Sequence, residues 1–269
     1  ATVPVLTVRA TDRSRIAGDY DDVLVPTDGS ETAAAAVDHG LAIAQPADAR
    51  IHAVNIVDVG GLVASPDNTP PPEVLERLTS EAEAMTDRQA VIAYPTDTGY
   101  AFGCALGAPN ALKRIQRLKG LGADHTWTLL CADLGCLGIY ARMENSHFRH
   151  IKRAVPGPYT FVLQATAEVP RQLHQKNRRT IGIRISDEPV AAGLAEALDG
   201  PLVTTSARVA GDEWALEDAA SIAEECGDVV DYLLDAGPLP PNPSTMVDLT
   251  GEEAAILRYG AGDPTAFGG

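Results

Sequence analysis

Eight side chains stand at or near the ends of predicted strands: Thr96, Thr98, Thr160, Arg184, Ser206, Ser244, Thr245 and Arg258. Such hydroxyls bond phosphate oxygens or a substrate hydroxyl, and a guanidinium grips a carboxylate or phosphate through parallel N–H donors. Singly, each is an ordinary strand-end residue. The chemistry becomes coherent if strands far apart in sequence carry them into one cavity. The densest group lies in residues 91–104, VIAYPTDTGYAFGC. A short strand is predicted over 90–94, stopping at Pro95 because proline supplies no ladder donor. Thr96, Asp97 and Thr98 follow, and Gly99 and Gly103 bracket Tyr100 and Phe102, letting the backbone approach a ligand. A strand that empties into a polar, Gly-containing loop at its carboxyl end is a common ligand site in α/β proteins. A plain turn uses the same residues.

The elements that must position these groups can be read in order. Strands are predicted over 3–8, 22–26 and 51–57, with helices over 31–44, capped by Ser30, and over 72–87. Strand–helix alternation of this kind argues parallel pairing. Beyond Ala90 a helix is predicted from Asn110, as its cap, to Lys119, with Leu112, Ile115 and Leu118 inward and Gly120 ending it. Further strands are expected at 127–131, 159–166, 180–185, 202–205, 229–234, 245–249 and 255–258, and further helices at 145–154, 189–198 and 216–226.

The 269 residues carry a net charge of −16, unevenly distributed. Residues 1–87 are net −10, residues 88–184 hold 14 basic against 5 acidic side chains, net +9, and residues 185–269 are net −15. A basic middle third in an acidic chain points to an anionic partner, a nucleotide or RNA. No apolar run reaches membrane-spanning length, so no membrane partner is expected and a cytoplasmic setting is. Cys104, Cys131, Cys136 and Cys226 lack paired metal spacing and read as buried thiols. His147 and His150, in HFRH, read as a solvated helix face and not as a metal site. The oligomeric state is open.

Two resemblances add to this. VPVLTVR, DDVLVPTDGSETAAAAVDHGLAIA and ARIHAVNIVDV resemble pieces of a universal stress protein domain, about half of one. Asp28 matches a position near the adenine in that family's nucleotide-binding members, but the later Gly-rich phosphate loop is absent. Residues 1–87 are therefore expected to be a partial unit that neither binds ATP nor folds alone.

From Ala90 to Asp263 the ordered segments AVIAYPTDTGYAFGC, PGPYTFVL, TIGIRI, PLVTTSA, PSTMVDLT and ILRYGAGD resemble the YrdC-like family. HTWTLLC and KNRRTIGIRI look closest to its YciO-like branch. The resemblance implies an α/β fold, a twisted mixed sheet flanked by helices around a concave basic cavity. Residues 88–269 form that domain, preceded by the partial parallel α/β unit at 1–87. It implies a threonylcarbamoyl-AMP synthase-type reaction of threonine, bicarbonate and ATP, linked to tRNA modification, with Mg²⁺ arriving on the triphosphate. It places Lys119 and Ser206 at the catalytic phosphates, and Thr160, Ser244, Thr245 and Arg258 with them on the nucleotide. Thr98 and Arg184 fall on the threonine side.

Two departures bear on activity. The synthase pattern has arginine where this chain has Leu121, and asparagine where it has Arg208. Arg208 is expected to restore the lost charge from the opposite side of the cavity, keeping nucleotide binding but misplacing the α-phosphate. Two other readings stay open. One is a double-stranded RNA-binding module using the basic segment 88–184, without catalysis. The other is a stress-protein-like nucleotide sensor that dimerises through its N-terminal strands.

Overall fold

The computed structural model describes residues 22–27, 50–58, 89–122, 125–175, 178–198 and 200–268. The strand expected at 3–8, the helices expected at 31–44 and 72–87, and Asp28 lie outside them. The described strands are β1 (Asp22–Thr27), β2 (Arg50–Asp58), β3 (Ile92–Thr96), β4 (Gly99–Ala105), β5 (Thr128–Leu130), β6 (Ala141–Arg142), β7 (Tyr159–Ala165), β8 (Thr180–Arg184), β9 (Leu202–Ser206), β10 (Tyr232–Asp235), β11 (Thr245–Asp248) and β12 (Ala255–Arg258). The described helices are α1 (Pro109–Lys119), α2 (Leu134–Tyr140), α3 (Asn145–Ala154), α4 (Pro189–Ala197) and α5 (Ala219–Cys226).

The strands join in one mixed sheet in the order β1-β2-β10-β3-β4-β9-β5-β8-β7-β11-β12, with β6 on β7. The outer unit β1-β2-β10-β3 is parallel, and β4 is antiparallel to both β3 and β9. β2 takes its inner partner from Tyr232–Asp235, far along the chain. The described N-terminal strands thus join the rest of the sheet through the C-terminal part.

Alternation along the central strands sends side chains into two apolar layers, one on each sheet face. In and before β3, Val91 and Ala93 join the layer holding Ile115 of α1, whereas Ile92 and Tyr94 join the one holding Val190 and Leu194 of α4. Leu233 and Tyr232 of β10 divide the same way. α4 begins where the Glu188 carboxylate accepts from the Ala191 N–H at 2.7 Å, filling an otherwise unpaired helical donor.

Four expectations need correction here. β3 does not stop before Pro95 but runs through it to Thr96. Its other neighbour, β10, pairs only with Ile92 and Ala93, so the missing N–H falls beyond that ladder. The segment taken for a loop is the β3–β4 hairpin: Thr96 pairs with Gly99, Asp97 and Thr98 form the turn, and Gly99 has φ +103°. Gly103 makes room for protein rather than ligand, since a Cβ there would sit 2.7 Å from Leu202 Cδ2. In α1, Asn110 is not the cap. Ala108 holds that position without a side-chain bond, and Pro109 opens the helix with φ already suited to it. Gly120, in the left-handed region at φ +60°, ends α1 as expected.

Candidate functional site

A cavity of about 370 Å³ is lined by the β3–β4 turn, the ends of α1 and β9, and side chains from β5, β7, β8, β11 and β12. Thr96, Thr98, Lys119, Thr160, Arg184, Ser206, Ser244 and Arg258 all line it, although they span more than half the chain. Cross-strand register explains part of this convergence. Thr160 of β7 lies opposite Met246 of β11, which lies opposite Arg258 of β12, so the three form a row. Thr128 of β5 and Thr204 of β9 face each other similarly.

Thr245 is the exception. It is fully buried and does not line the cavity. Its hydroxyl donates to the Gly262 carbonyl at 2.6 Å and accepts from the Gly260 N–H at 3.1 Å. A Cβ at Gly260 would stand 2.1 Å from the Pro243 carbonyl, so only glycine fits where the turn after β12 crosses the start of β11. The hydroxyl counted as a nucleotide contact is spent bracing the wall.

Each side of the cavity has its own electrostatics. On one side, Arg184 is ion-paired with Asp97, and the Ser186 hydroxyl donates to the same carboxylate oxygen. Glu188 lies close by; burial pushes its carboxyl up to about 7, opposed by its cap bonds and reinforced by the Asp97 and Asp187 charges. Asp187 is shifted up too, by burial and then by Asp97. Arg258 donates from Nε to the Ser244 carbonyl and from Nη2 to Ser244 Oγ, both at 2.9 Å, and Ser244 Oγ meets Thr160 Oγ1 at 2.8 Å. Burial, then the charge of Arg184, pushes Arg258 down from the usual arginine value. The turn is fixed by Thr96, whose hydroxyl donates to the Gly99 carbonyl at 2.7 Å and accepts from the Thr98 N–H at 3.2 Å.

On the other side, Lys119 at the end of α1 donates to the Ser206 carbonyl, to the Arg208 carbonyl at 3.1 Å and to Ser206 Oγ at 3.4 Å. Among the described residues its amine has only these neutral acceptors. Burial, then the Arg208 charge, pushes it down to about 8. His125 also lines the cavity and is pushed down to about 4 by burial and then by Lys119 and Arg208. Leu121 and Arg208 both line the cavity, but Arg208 does not come from the opposite wall. The Ala210 N–H bonds the Leu118 carbonyl at 3.1 Å, so the segment after β9 lies on the end of α1 and Arg208 shares the Lys119 side.

Sequence reasoning missed His125, Thr128, Thr204 and Trp214 as lining residues. Thr128 and Thr204 left a signal, a polar residue at an alternating position inside an apolar strand. Trp214 left a weaker one, an aromatic in an acidic loop. The two histidines of α3 do not act together: His147 is buried with Nε2 3.2 Å from the Glu252 carbonyl, while His150 is exposed. The expected solvated face therefore holds for His150 alone. Of the cysteines, Cys104, Cys131 and Cys226 are buried and Cys136 is half-buried, all as free thiols. No described helix is long and apolar enough to cross a membrane.

Comparison with known proteins fits this geometry. The Sua5–YciO–YrdC family, described as Telomere recombination, matches residues 84–260, and the Universal stress protein family matches residues 19–101. The uncharacterized protein YciO of Escherichia coli (strain K12) is 40% identical over 192 residues, covering 71% of this chain and 93% of that one. Its crystal structure superposes with a TM-score of 0.70 at 36% identity, over 80% of this chain and 98% of that one. A Klebsiella pneumoniae protein named Threonylcarbamoyl-AMP synthase is 31% identical over 185 residues, 67% of this chain and 95% of that one. The structure of P. abyssi Sua5 complexed with L-threonine matches with a TM-score of 0.65 at 25% identity, over 77% of this chain and 57% of that one. With a family match across the cavity-bearing sheet and a 40% identical relative over most of its own length, the chain belongs to the Sua5–YciO–YrdC family.

Proposed function

We propose that the cavity binds ATP and L-threonine and forms threonylcarbamoyl-AMP from threonine, bicarbonate and ATP, in support of tRNA modification. The observation that carries this is the convergence of Thr98, Lys119, Thr160, Arg184, Ser206, Ser244 and Arg258 on one cavity. The name of the Klebsiella relative and the threonine bound to P. abyssi Sua5 point the same way. The threonine amine takes up bicarbonate and loses water to give a carbamate. A carbamate oxygen then attacks the α-phosphorus, the bond to the β-phosphate oxygen breaks, and pyrophosphate leaves with the electron pair. Such a step needs positioning and cationic stabilisation more than a nucleophilic side chain. Lys119 and Ser206, with Arg208 beside them, hold phosphate oxygens; Thr160, Ser244 and Arg258 line the remainder of the nucleotide site. Arg184 and Thr98 hold threonine. Mg²⁺ enters with the triphosphate, as part of the substrate. The test is pyrophosphate release. It should require threonine, bicarbonate and ATP together, and release that ignores threonine would overturn the assignment.

A second reading has its own observation. α3 turns Arg149, His150, Lys152 and Arg153 to solvent, and Arg142, Arg171, Arg178 and Arg179 are exposed as well. A basic surface of this kind suits a phosphate backbone. Duplex RNA binding that weakens steeply with salt, without threonine-dependent turnover, would favour it. For the nucleotide-sensor reading, Asp28 and the strand expected at 3–8 lie outside the described residues.

A further inference from the structure

One large aromatic on the cavity lies outside both apolar layers of the described residues. Trp214 is 62% exposed and lines the same cavity as Lys119, Ser206 and Arg208. It sits in the connection between β9 and α5, whose base is tied down. The Ala207 N–H bonds the Tyr100 carbonyl at 2.9 Å, the Leu216 N–H bonds the Ala207 carbonyl at 2.8 Å, and the Asp212 N–H bonds the Val209 carbonyl at 3.3 Å. The indole is thus carried on a braced turn rather than buried by it. Leaving so large an apolar ring in water forgoes its burial energy, and an exposed ring next to a ligand cavity is a ready contact surface. The other tryptophan, Trp127, is 3% exposed and belongs to the core. The cavity already offers hydroxyls and cations for phosphates, but among its lining residues the exposed aromatic ring is Trp214. Nucleobases stack on such rings whatever their hydrogen-bonding edge.

We infer that Trp214 is the nucleobase platform of this cavity, stacking on the base of a nucleotide whose phosphates lie toward Lys119, Ser206 and Arg208. The inference rests on the proposed ATP reading and deepens it, because it assigns the base a contact in a segment that none of the six family motifs covers.

The chain has two tryptophans, and the buried Trp127 also emits and packs edge-on against the cavity-lining His125, so the Trp214 signal is the part of the wild-type change that Trp214→Phe lacks. The full-length protein is titrated with ATP and, separately, with inorganic tripolyphosphate, which has the charge but no base. ATP should quench Trp214 emission and tripolyphosphate should not. By calorimetry, Trp214→Ala should weaken ATP by roughly 10-fold or more while leaving tripolyphosphate within about twofold. Trp214→Phe should recover most of the ATP affinity, a rescue that a merely structural role in the loop would not give for one ligand alone. Wild-type-like ATP affinity in Trp214→Ala would overturn the inference while leaving the ATP site standing. Failure of the wild type to bind either ligand would overturn both. Quenching by single-stranded RNA but not by ATP would also overturn it, showing that the ring serves a polymer's bases.

Discussion

The two sides of the cavity solve the problem of a buried cation in opposite ways. Arg184 is matched by a carboxylate, Asp97, which Ser186 also bonds. Among the described residues Lys119 is met only by carbonyl and hydroxyl oxygens, with the further cation of Arg208 near it. The matched pair has its charge balanced before any ligand arrives, with Arg184 Nε and Asp97 Oδ2 still lacking a hydrogen-bond partner among the described residues. An unmatched cation under like-charge pressure is where an anion gains most. The difference separates a cation whose charge is already balanced, and which meets threonine through its remaining N–H donors, from a cation whose charge waits for an anion.

Stability should expose that difference first. Arg184→Met leaves the Asp97 carboxylate buried near Glu188 and Asp187 without its cation, and should cost about 3–5 kcal/mol in urea unfolding at neutral pH. Lys119→Met removes an unmatched cation and should change stability by no more than about 1 kcal/mol in the absence of ligand. Equal losses in the two variants would erase the contrast.

Glu188 gives the next largest effect, and its sign is fixed. Its folded value, about 7, lies above the ordinary 4.5, so the folded chain holds this proton more tightly than the unfolded chain does. That contribution is fully present below about pH 4.5 and is lost as pH rises through about 7, an amount on the order of 3 kcal/mol. Glu188→Gln keeps an oxygen for the Ala191 N–H and removes the titration. Its stability, compared with wild type by urea unfolding at pH 5 and pH 8, should gain relative to wild type at the higher pH. A constant difference across that interval would mean that Glu188 is not the group responsible.

Catalysis sharpens the Lys119 side. Leu121→Arg combined with Arg208→Asn moves the guanidinium from the β9 segment to the α1 end without leaving that side. Threonine-dependent pyrophosphate release should rise at least ~10-fold, about 1.4 kcal/mol of barrier. Arg208→Asn alone should weaken ATP binding. No gain in the double variant, with normal ATP binding in the wild type, would place the deficit elsewhere. The smallest effect is in pH. Lys119 carries its proton well below about 8 and loses it above, so its contribution to ATP affinity should be level below about pH 7. It should fall about threefold between pH 7.5 and 8.5. A flat profile through pH 8.5 would show that Lys119 does not meet the anion.

Much of this was legible before the fold was known. Apolar strand runs ending in hydroxyl or guanidinium groups marked Thr98, Thr160, Arg184, Ser206, Ser244 and Arg258, and all of them line the cavity. The failures came from residues with two physical uses. Gly103 has a glycine's tolerance of close approach, but what approaches is Leu202 and Tyr94. Pro95 reads as a strand stop, yet β10 has already ceased to pair there. Thr245 has the same hydroxyl as Thr160, spent on the Gly260–Gly262 turn. The exposure of Trp214 and the shared side of Lys119 and Arg208 are tertiary facts that local pattern does not encode.

The most direct test of the account is calorimetric titration of ATP into wild type and Lys119→Met under identical conditions, with unfolding measured on the same samples. The account predicts that the variant binds ATP at least ~10-fold more weakly while its unfolding midpoint stays close to wild type. Equal ATP affinity in the two proteins would contradict it, since the unmatched cation would then not be the anion's partner.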